Sequence, residues 1–183
     1  ELSVLRLDLI HPVVSGNKWY KLKCYLEQAR LQGKTGLVTL GGAYSNHLLA
    51  TAYAGRREGL RTAGFIRGEK PQAFSPTLTD CASLGMELHF VDRQLYRDKK
   101  NLEARIGQLF PDYSLIPEGG NGPLGIEGAA TILDDFETSG YSHICCAVGT
   151  GTMLAGLATR ARKGQTLIGM PVLKVDPANE PYD

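Results

Sequence analysis

The chain lacks the features that mark several broad classes. No apolar run approaches the ~18 residues that a membrane-spanning helix requires, and the first residues lack the charged-then-apolar pattern of a secretory signal. Neither sign of charge is in surplus: 20 Lys+Arg stand against 19 Asp+Glu, a formal net charge of +1, and no basic run interleaves with aromatics. The electrostatic footprint of a nucleic-acid binder is therefore missing. Cysteine is sparse, with Cys24, Cys81, Cys145 and Cys146 and no C-x-x-C among them. Cys145 and Cys146 adjoin in an apolar stretch that reads as a strand, where neighbouring side chains face opposite ways. That pattern suits neither a zinc site nor a disulfide framework, so the sequence predicts reduced thiols, no metal and a cytoplasmic chain.

What is present is an ordinary globular composition, 43% hydrophobic over 183 residues, enough to bury a core. Strand-like runs at 3–7, 37–40, 62–66, 87–91, 114–116, 144–148 and 166–169 alternate with helical patterns at 18–32, 46–58, 75–84, 94–110, 124–138 and 152–162. Parallel strands need crossover connections, which helices on both faces supply, so the alternation predicts an α/β fold with parallel sheet. Ser75-Pro76 predicts an N-cap with proline in the first turn, and Gly33, Gly59 and Gly140 sit where helices should stop. The stretch 68–74 predicts a mobile loop and 175–183 an unpacked tail.

Three runs, ending at Leu40, Pro117 and Val148, exit into Gly41-Gly42, Gly119-Gly120-x-Gly122 and Gly149-x-Gly151. Open parallel sheets bind ligands at the carboxyl ends of their strands, so three glycine turns on that edge predict an occupied crevice. Gly149-Thr150-Gly151-Thr152 opens an apolar helix. Converging backbone N–H groups, threonine hydroxyls and the helix N-terminus suit a phosphate there, although a plain tight turn would use the same residues. Gly120-Asn121-Gly122-Pro123-Leu124-Gly125 matches G-x-G-x-x-G. A dinucleotide fold wants an acid at the end of the next strand, and that strand ends in Gly149. Glu118, just before, fits a hinge or an ordinary surface position. Ser45, in Gly42-Ala43-Tyr44-Ser45-Asn46, misses the G-x-S-x-G elbow, and His47 two residues on would point away on a helix. A serine hydrolase is disfavoured, and Ser45 or Asn46 equally suits a helix cap.

Lys18 stands in Ser15-Gly16-Asn17-Lys18-Trp19-Tyr20-Lys21-Leu22. A solvated helix face would account for Lys18, Lys21 and Lys23 alike. Against that, Gly16-Asn17 supplies a turn at which backbone can approach a ring closely. A Schiff-base lysine needs a neutral amine near pH 7, which burial and a neighbouring cation such as Lys21 favour.

Ser15-Gly16-Asn17-Lys18-x-x-Lys21-Leu22, then Gly41-Gly42-x-x-Ser45-Asn46-His47, then the glycine-threonine loop, occur in an order that resembles a known family. It unites 1-aminocyclopropane-1-carboxylate deaminase and D-cysteine desulfhydrase, among the tryptophan-synthase-β-like (fold type II) enzymes that use pyridoxal phosphate. The resemblance runs from Arg6 to about Gly169. It implies a two-lobed parallel-sheet α/β fold, with 21–117 as the smaller lobe and 1–20 plus 118–183 as part of the larger one carrying the phosphate loop. Lys18 would hold the cofactor as a Schiff base and shuttle the substrate α-proton. Asn46 would hydrogen-bond the ring hydroxyl, Ser45, Tyr44 and His47 would meet the substrate, and Gly149, Thr150, Gly151 and Thr152 would hold the phosphate. Position 44 is Tyr where these enzymes commonly carry Gln. Family chains begin before Glu1 and run past Asp183, which implies a fragment of a protein that forms a homodimer. The implied activity is a lyase on a small amino acid, converting D-cysteine to pyruvate, ammonia and sulfide. Deamination of the cyclopropane acid is the alternative, and a cofactor-binding chain without turnover is a third.

Overall fold

Gly-Leu-Val-Thr-Leu-Gly is buried at all six positions, as befits a parallel strand covered on both faces. This strand, β1 (Gly36–Gly41), pairs in parallel with β2 (Arg61–Arg67) and β4 (Tyr113–Ile116). Beyond β2 lies β3 (Met86–Val91), giving the order β3-β2-β1-β4. A separate parallel pair joins β5 (His143–Val148) to β6 (Thr166–Pro171). The computed structural model describes residues 2–172; the tail expected at 175–183 lies outside them.

Helices supply the crossovers. α1 (Asn17–Leu31) precedes β1, α2 (Asn46–Arg57) and α3 (Pro76–Ser83) link β1 to β2 and β2 to β3, and α4 (Arg93–Arg97) with α5 (Lys99–Leu109) leads to β4. α6 (Pro123–Ala130) and α7 (Ile132–Asp135) run to β5, and α8 (Thr152–Arg160) connects β5 to β6. Alternation along β1 divides the core: Leu37 packs with Leu22, Tyr25, Ala50 and Ile116 on one face, Val38 and Leu40 with Phe65, Leu102 and Ile106 on the other. Each fully buried Leu or Ile contributes on the order of 1.5–3 kcal/mol. The β5–β6 pair has its own cluster of Leu7, Tyr20, Ile132, Cys146, Val148 and Leu157. Among the described residues no helix is long and apolar enough to cross a membrane.

Two helix expectations are corrected. The helix expected at 94–110 is two helices, because Asp98 sits at φ −80°, ψ 73° and turns its carboxylate to the Asn101 N–H at 3.2 Å. The one expected at 124–138 ends at Ala130, where the Thr131 hydroxyl bonds back to Gly128 O at 2.8 Å. Residues 3–7 form no strand: among the described residues no strand pairs with them, Leu2 and Val4 lie in solvent, and a 3-10 turn follows at Leu7–Leu9. Ser75-Pro76 does start α3, with Ser75 Oγ accepting from the Leu78 N–H at 3.2 Å.

Close approach of α1, α6 and α8 depends on glycine. A Cβ on Gly128 would lie 2.2 Å from Tyr20 O, and one on Gly156 would lie 2.7 Å from Ile126 O. This packing sets α1, which carries Lys18, against the turn that opens α8.

Candidate functional site

The site is built on the first turns of α1. Gly16 precedes the helix at φ 62°, ψ −148°, backbone that a side chain strongly disfavours. Its N–H donates to Leu7 O at 2.8 Å, which anchors the helix start. Lys18 and Lys21, three residues apart, share a helix face. Both amines donate to one acceptor, Gly119 O, at 3.3 Å and 3.4 Å. Lys21 is 3% exposed, Lys18 is half-buried and Lys23 is in solvent.

The ion pairs among the described residues involve neither Lys18 nor Lys21. Burial lowers the pKa of Lys18. Burial, reinforced by the charge of Lys18, pushes Lys21 down to about 7. Two basic groups thus stand together with no ion-pair partner among the described residues, which suits an anion or a reactive carbonyl.

The carbonyl that gathers the two amines belongs to the turn Glu118–Gly120, which follows β4. Glu118 fixes it, accepting from Tyr96 Oη at 2.7 Å and from Lys99 Nζ at 2.7 Å. Burial works to raise the Glu118 pKa, and those two hydrogen bonds with the Lys99 charge outweigh it and lower it. Lys99 Nζ also stands 3.5 Å from the Tyr96 ring centre. Sequence reasoning left Glu118 as hinge or surface, because the partners that make it structural arrive from α4 and α5.

Lys18, Lys21 and Asn17 line a cavity of about 140 Å³ together with Gly149, Thr150 and Gly151. Two predicted groups, the lysine and the glycine-threonine loop, therefore meet. Gly151 is left-handed (φ 76°), and a Cβ on it or on Gly149 would touch nothing within 4 Å, so the turn faces open space. The hydroxyls do less than expected. Thr152 is 2% exposed and gives its proton to Asn121 Oδ1 at 2.8 Å, so Thr150 Oγ1, 2.9 Å away, donates to Thr152. What the loop offers an anion is chiefly the first-turn backbone of α8.

The residues expected to meet substrate lie outside this cavity wall. Ser45 caps α2, accepting from the Leu48 N–H at 3.4 Å, and Asn46 and Tyr44 are exposed beside it, Tyr44 at 77%. His47 is in the core rather than at the cleft. Its ring faces Gly120, Nε2 lies 2.9 Å from Thr39 Oγ1, and Thr39 Oγ1 donates to Ile116 O at 2.7 Å. Nε2 is therefore the donor, and Nδ1 has no partner among the described residues. Burial, then the charges of Lys18 and Lys21, push this imidazole down to about 3.

The G-x-G-x-x-G match is a packing motif. Cβ atoms on Gly120, Gly122 and Gly125 would press on Lys21, on Tyr25 Oη and on Gly120 O, leaving no cradle for a dinucleotide. A wider groove of about 450 Å³ between α1 and α2, lined by Trp19, Leu26 and Tyr53, holds none of the predicted site residues.

Comparison with known proteins supplies the family. The family model described as pyridoxal-phosphate dependent enzyme matches residues 4–182. A Thermotoga maritima protein named "Putative 1-aminocyclopropane-1-carboxylate deaminase" is 36% identical over 170 residues, covering 86% of this chain and 53% of that one. D-cysteine desulfhydrase of Salmonella typhi is 29% identical over 174 residues, covering 86% and 52%. Among solved structures, an ACC deaminase homologue superposes with a TM-score of 0.77 at 24% identity, over 94% of this chain and 56% of the other. The chain spans about half the length of the curated relatives it matches. It belongs to the pyridoxal-phosphate dependent enzyme family.

Proposed function

We propose that this chain carries the cofactor-holding part of a lyase for small amino acids, with Lys18 as the residue that bonds pyridoxal phosphate. One observation carries the reading: Lys18, Lys21 and the loop at 149–151 line the same cavity. The residues fit that cofactor. One buried and one half-buried amine, neither in an ion pair among the described residues, suit a phosphate ester bearing an aldehyde, and the glycine turn before α8 leaves room for the ester oxygens. When bound, pyridoxal phosphate supplies the electron sink that lets a proton leave the carbon beside the substrate amine.

The chain's own residues do the rest. Lys18 Nζ would hold the cofactor and, when free, would move the α-proton. Ser45 accepts from the Leu48 N–H and commits its own proton to no acceptor among the described residues, so it is free to meet a substrate carboxylate. Asn46, exposed at the start of α2, would hydrogen-bond the ring hydroxyl, and Tyr44 would meet the substrate. The loop Gly149, Thr150, Gly151 and Thr152 takes the phosphate. Residues 21–117 form the smaller lobe in this reading, and 1–20 with 118–183 belong to the larger. Pairing into a homodimer and residence in the cytoplasm are part of it, and four free thiols suit a reducing compartment.

The preferred reaction converts D-cysteine to pyruvate, ammonia and sulfide, with deamination of 1-aminocyclopropane-1-carboxylate as the second. Protein mixed with pyridoxal phosphate should show a visible absorbance band that borohydride fixes to Lys18. Persistence of the band in Lys18→Ala sinks the assignment. Sulfide from D-cysteine without 2-oxobutyrate from the cyclopropane acid favours the first reaction, and the converse the second. A fixed cofactor with neither product supports a binding chain without turnover.

A further inference from the structure

The turn Glu118–Gly120 serves two cavities. Its Gly119 carbonyl holds Lys18 and Lys21, whereas its Glu118 side chain lines a separate cavity of about 460 Å³ with Arg67, Arg93, Tyr96, Arg97 and Lys99. Four cations thus surround one carboxylate. That carboxylate is already engaged, because Glu118 accepts from Lys99 Nζ and from Tyr96 Oη, each at 2.7 Å. The three arginines have no such partner: among the described residues none of their guanidinium groups forms an ion pair or a hydrogen bond.

The fold gathers these arginines against their own electrostatics. Arg93 and Arg97 stand four apart on α4, a spacing at which like charges on a helix repel. Arg67 ends β2 and points to the same side of the sheet as Phe65, the side that packs on Tyr96 of α4. Its guanidinium lies 5.8 Å from the centre of the Tyr96 ring. Two further carboxylates, Glu69 and Asp92, line the adjoining space with Arg67 and Arg93. Neither neutralises them: Asp92 caps α4, accepting from the Gln94 and Leu95 N–H groups at 2.9 Å, and Glu69 is in no ion pair among the described residues.

We propose that this cavity is a second anion site, in which Arg67, Arg93 and Arg97 take a small dianion, the chemistry shared by a dicarboxylate and a phosphate monoester. Guanidinium forks match the paired oxygens of both groups. Three uncompensated positive charges favour two negative charges over one, and the volume admits a molecule larger than a single small ion. All three arginines reach solvent, so the ligand meets them directly and its binding weakens with salt. The site borders the loop that leads to Ser45, since a Cβ on Gly42 would lie 3.7 Å from Arg67 Nη2. It stands independently of the assignment of Lys18.

The test follows the arginine Nε–Hε signals of the cofactor-free 183-residue protein by NMR at low ionic strength, in separate titrations with succinate and inorganic phosphate. Sodium chloride at matched ionic strength is the control, and Arg30, paired with Glu58, is the internal reference. No arginine lines the cavity of Lys18, so phosphate taken up there does not enter the readout. Expected are saturable shifts of Arg67, Arg93 and Arg97 with one shared midpoint for at least one of the two dianions, while Arg30 stays still. Arg67→Gln should raise that midpoint about tenfold or more, and Arg30→Gln should leave it in place. Saturation by succinate alone assigns the site to a dicarboxylate, by phosphate alone to a phosphate monoester, and by both to either dianion. Shifts that chloride reproduces, that never saturate or that spread alike over all arginines overturn the inference, as does an unchanged midpoint in Arg67→Gln. If Arg67→Gln does not fold, Arg97→Gln at an exposed position of α4 carries the same comparison.

Discussion

Thr39 illustrates how little a single residue type reveals until its partners arrive. Its hydroxyl donates to Ile116 O and accepts from His47, linking β1, β4 and α2 beneath the two lysines. Thr39→Val strands both partners in the core, and a loss of about 2 kcal/mol is expected, seen as a lower urea midpoint with unchanged slope. A second expectation concerns pH. His47 is held at about 3 against an ordinary 6.5, and Lys21 at about 7 against 10.5. In each interval the unfolded chain binds more protons than the folded one, so stability rises with pH from about 3 to 6.5 and again from about 7 to 10.5. Urea unfolding across both intervals checks the sign, and Lys21→Met should flatten the upper rise. The lysine motif was legible because Gly16-Asn17-Lys18 is a local signature. The burial of Lys21 was not, since its code matches that of exposed Lys23 and only the turn from residue 119 distinguishes them. His47 read as a cleft residue by adjacency to Ser45-Asn46, whereas the helix puts His47, Leu48 and Thr51 on its inner face.

Helices and strands were easier to read than the contacts between them. Apolar runs marked β1 to β6, most clearly β1, where a strand buried on both faces tolerates few polar residues. Residues 3–7 show the limit, because alternation of Val and Leu makes no strand without a neighbour to pair with. The breaks at Asp98 and Thr131 arise from side chains that bond backbone locally, a competition that periodicity does not register. Glycine inside helices yields a prediction whose sign depends on the neighbour. Gly107→Ala in α5 meets open space and should stabilise by about 0.5–1 kcal/mol through helix propensity. Gly128→Ala and Gly156→Ala drive a methyl into α1 and α6 backbone and should cost about 1–3 kcal/mol. Calorimetry of the three variants should show one rise and two falls in Tm, and three shifts of the same sign would refute the packing argument.

Across the whole molecule the two sheets differ in cover. The central strands β1 and β2 of the four-stranded sheet are buried on both faces, whereas the β5–β6 pair exposes Cys145 and leaves Ile168, Met170 and Val172 40%, 53% and 64% exposed. Parallel sheet with a bare apolar face is rare in isolation. The chain should therefore bind a hydrophobic dye and self-associate on concentration, and Met170→Lys should reduce both, as fluorescence and sedimentation would record. Cys145 should alkylate well before buried Cys81. Fold class was legible at this scale from the alternation of elements, but the bare face was not, since apolar residues in β6 look the same covered or uncovered. The bonds from Lys18 and Lys21 to Gly119 close loops of 101 and 98 residues, which enclose the entire four-stranded sheet. Such long-range closure comes after local structure has formed. Acquisition of the cofactor's colour during refolding would then be a stopwatch for the last step of assembly, started by denaturant dilution and stopped only when both ends of that loop have met.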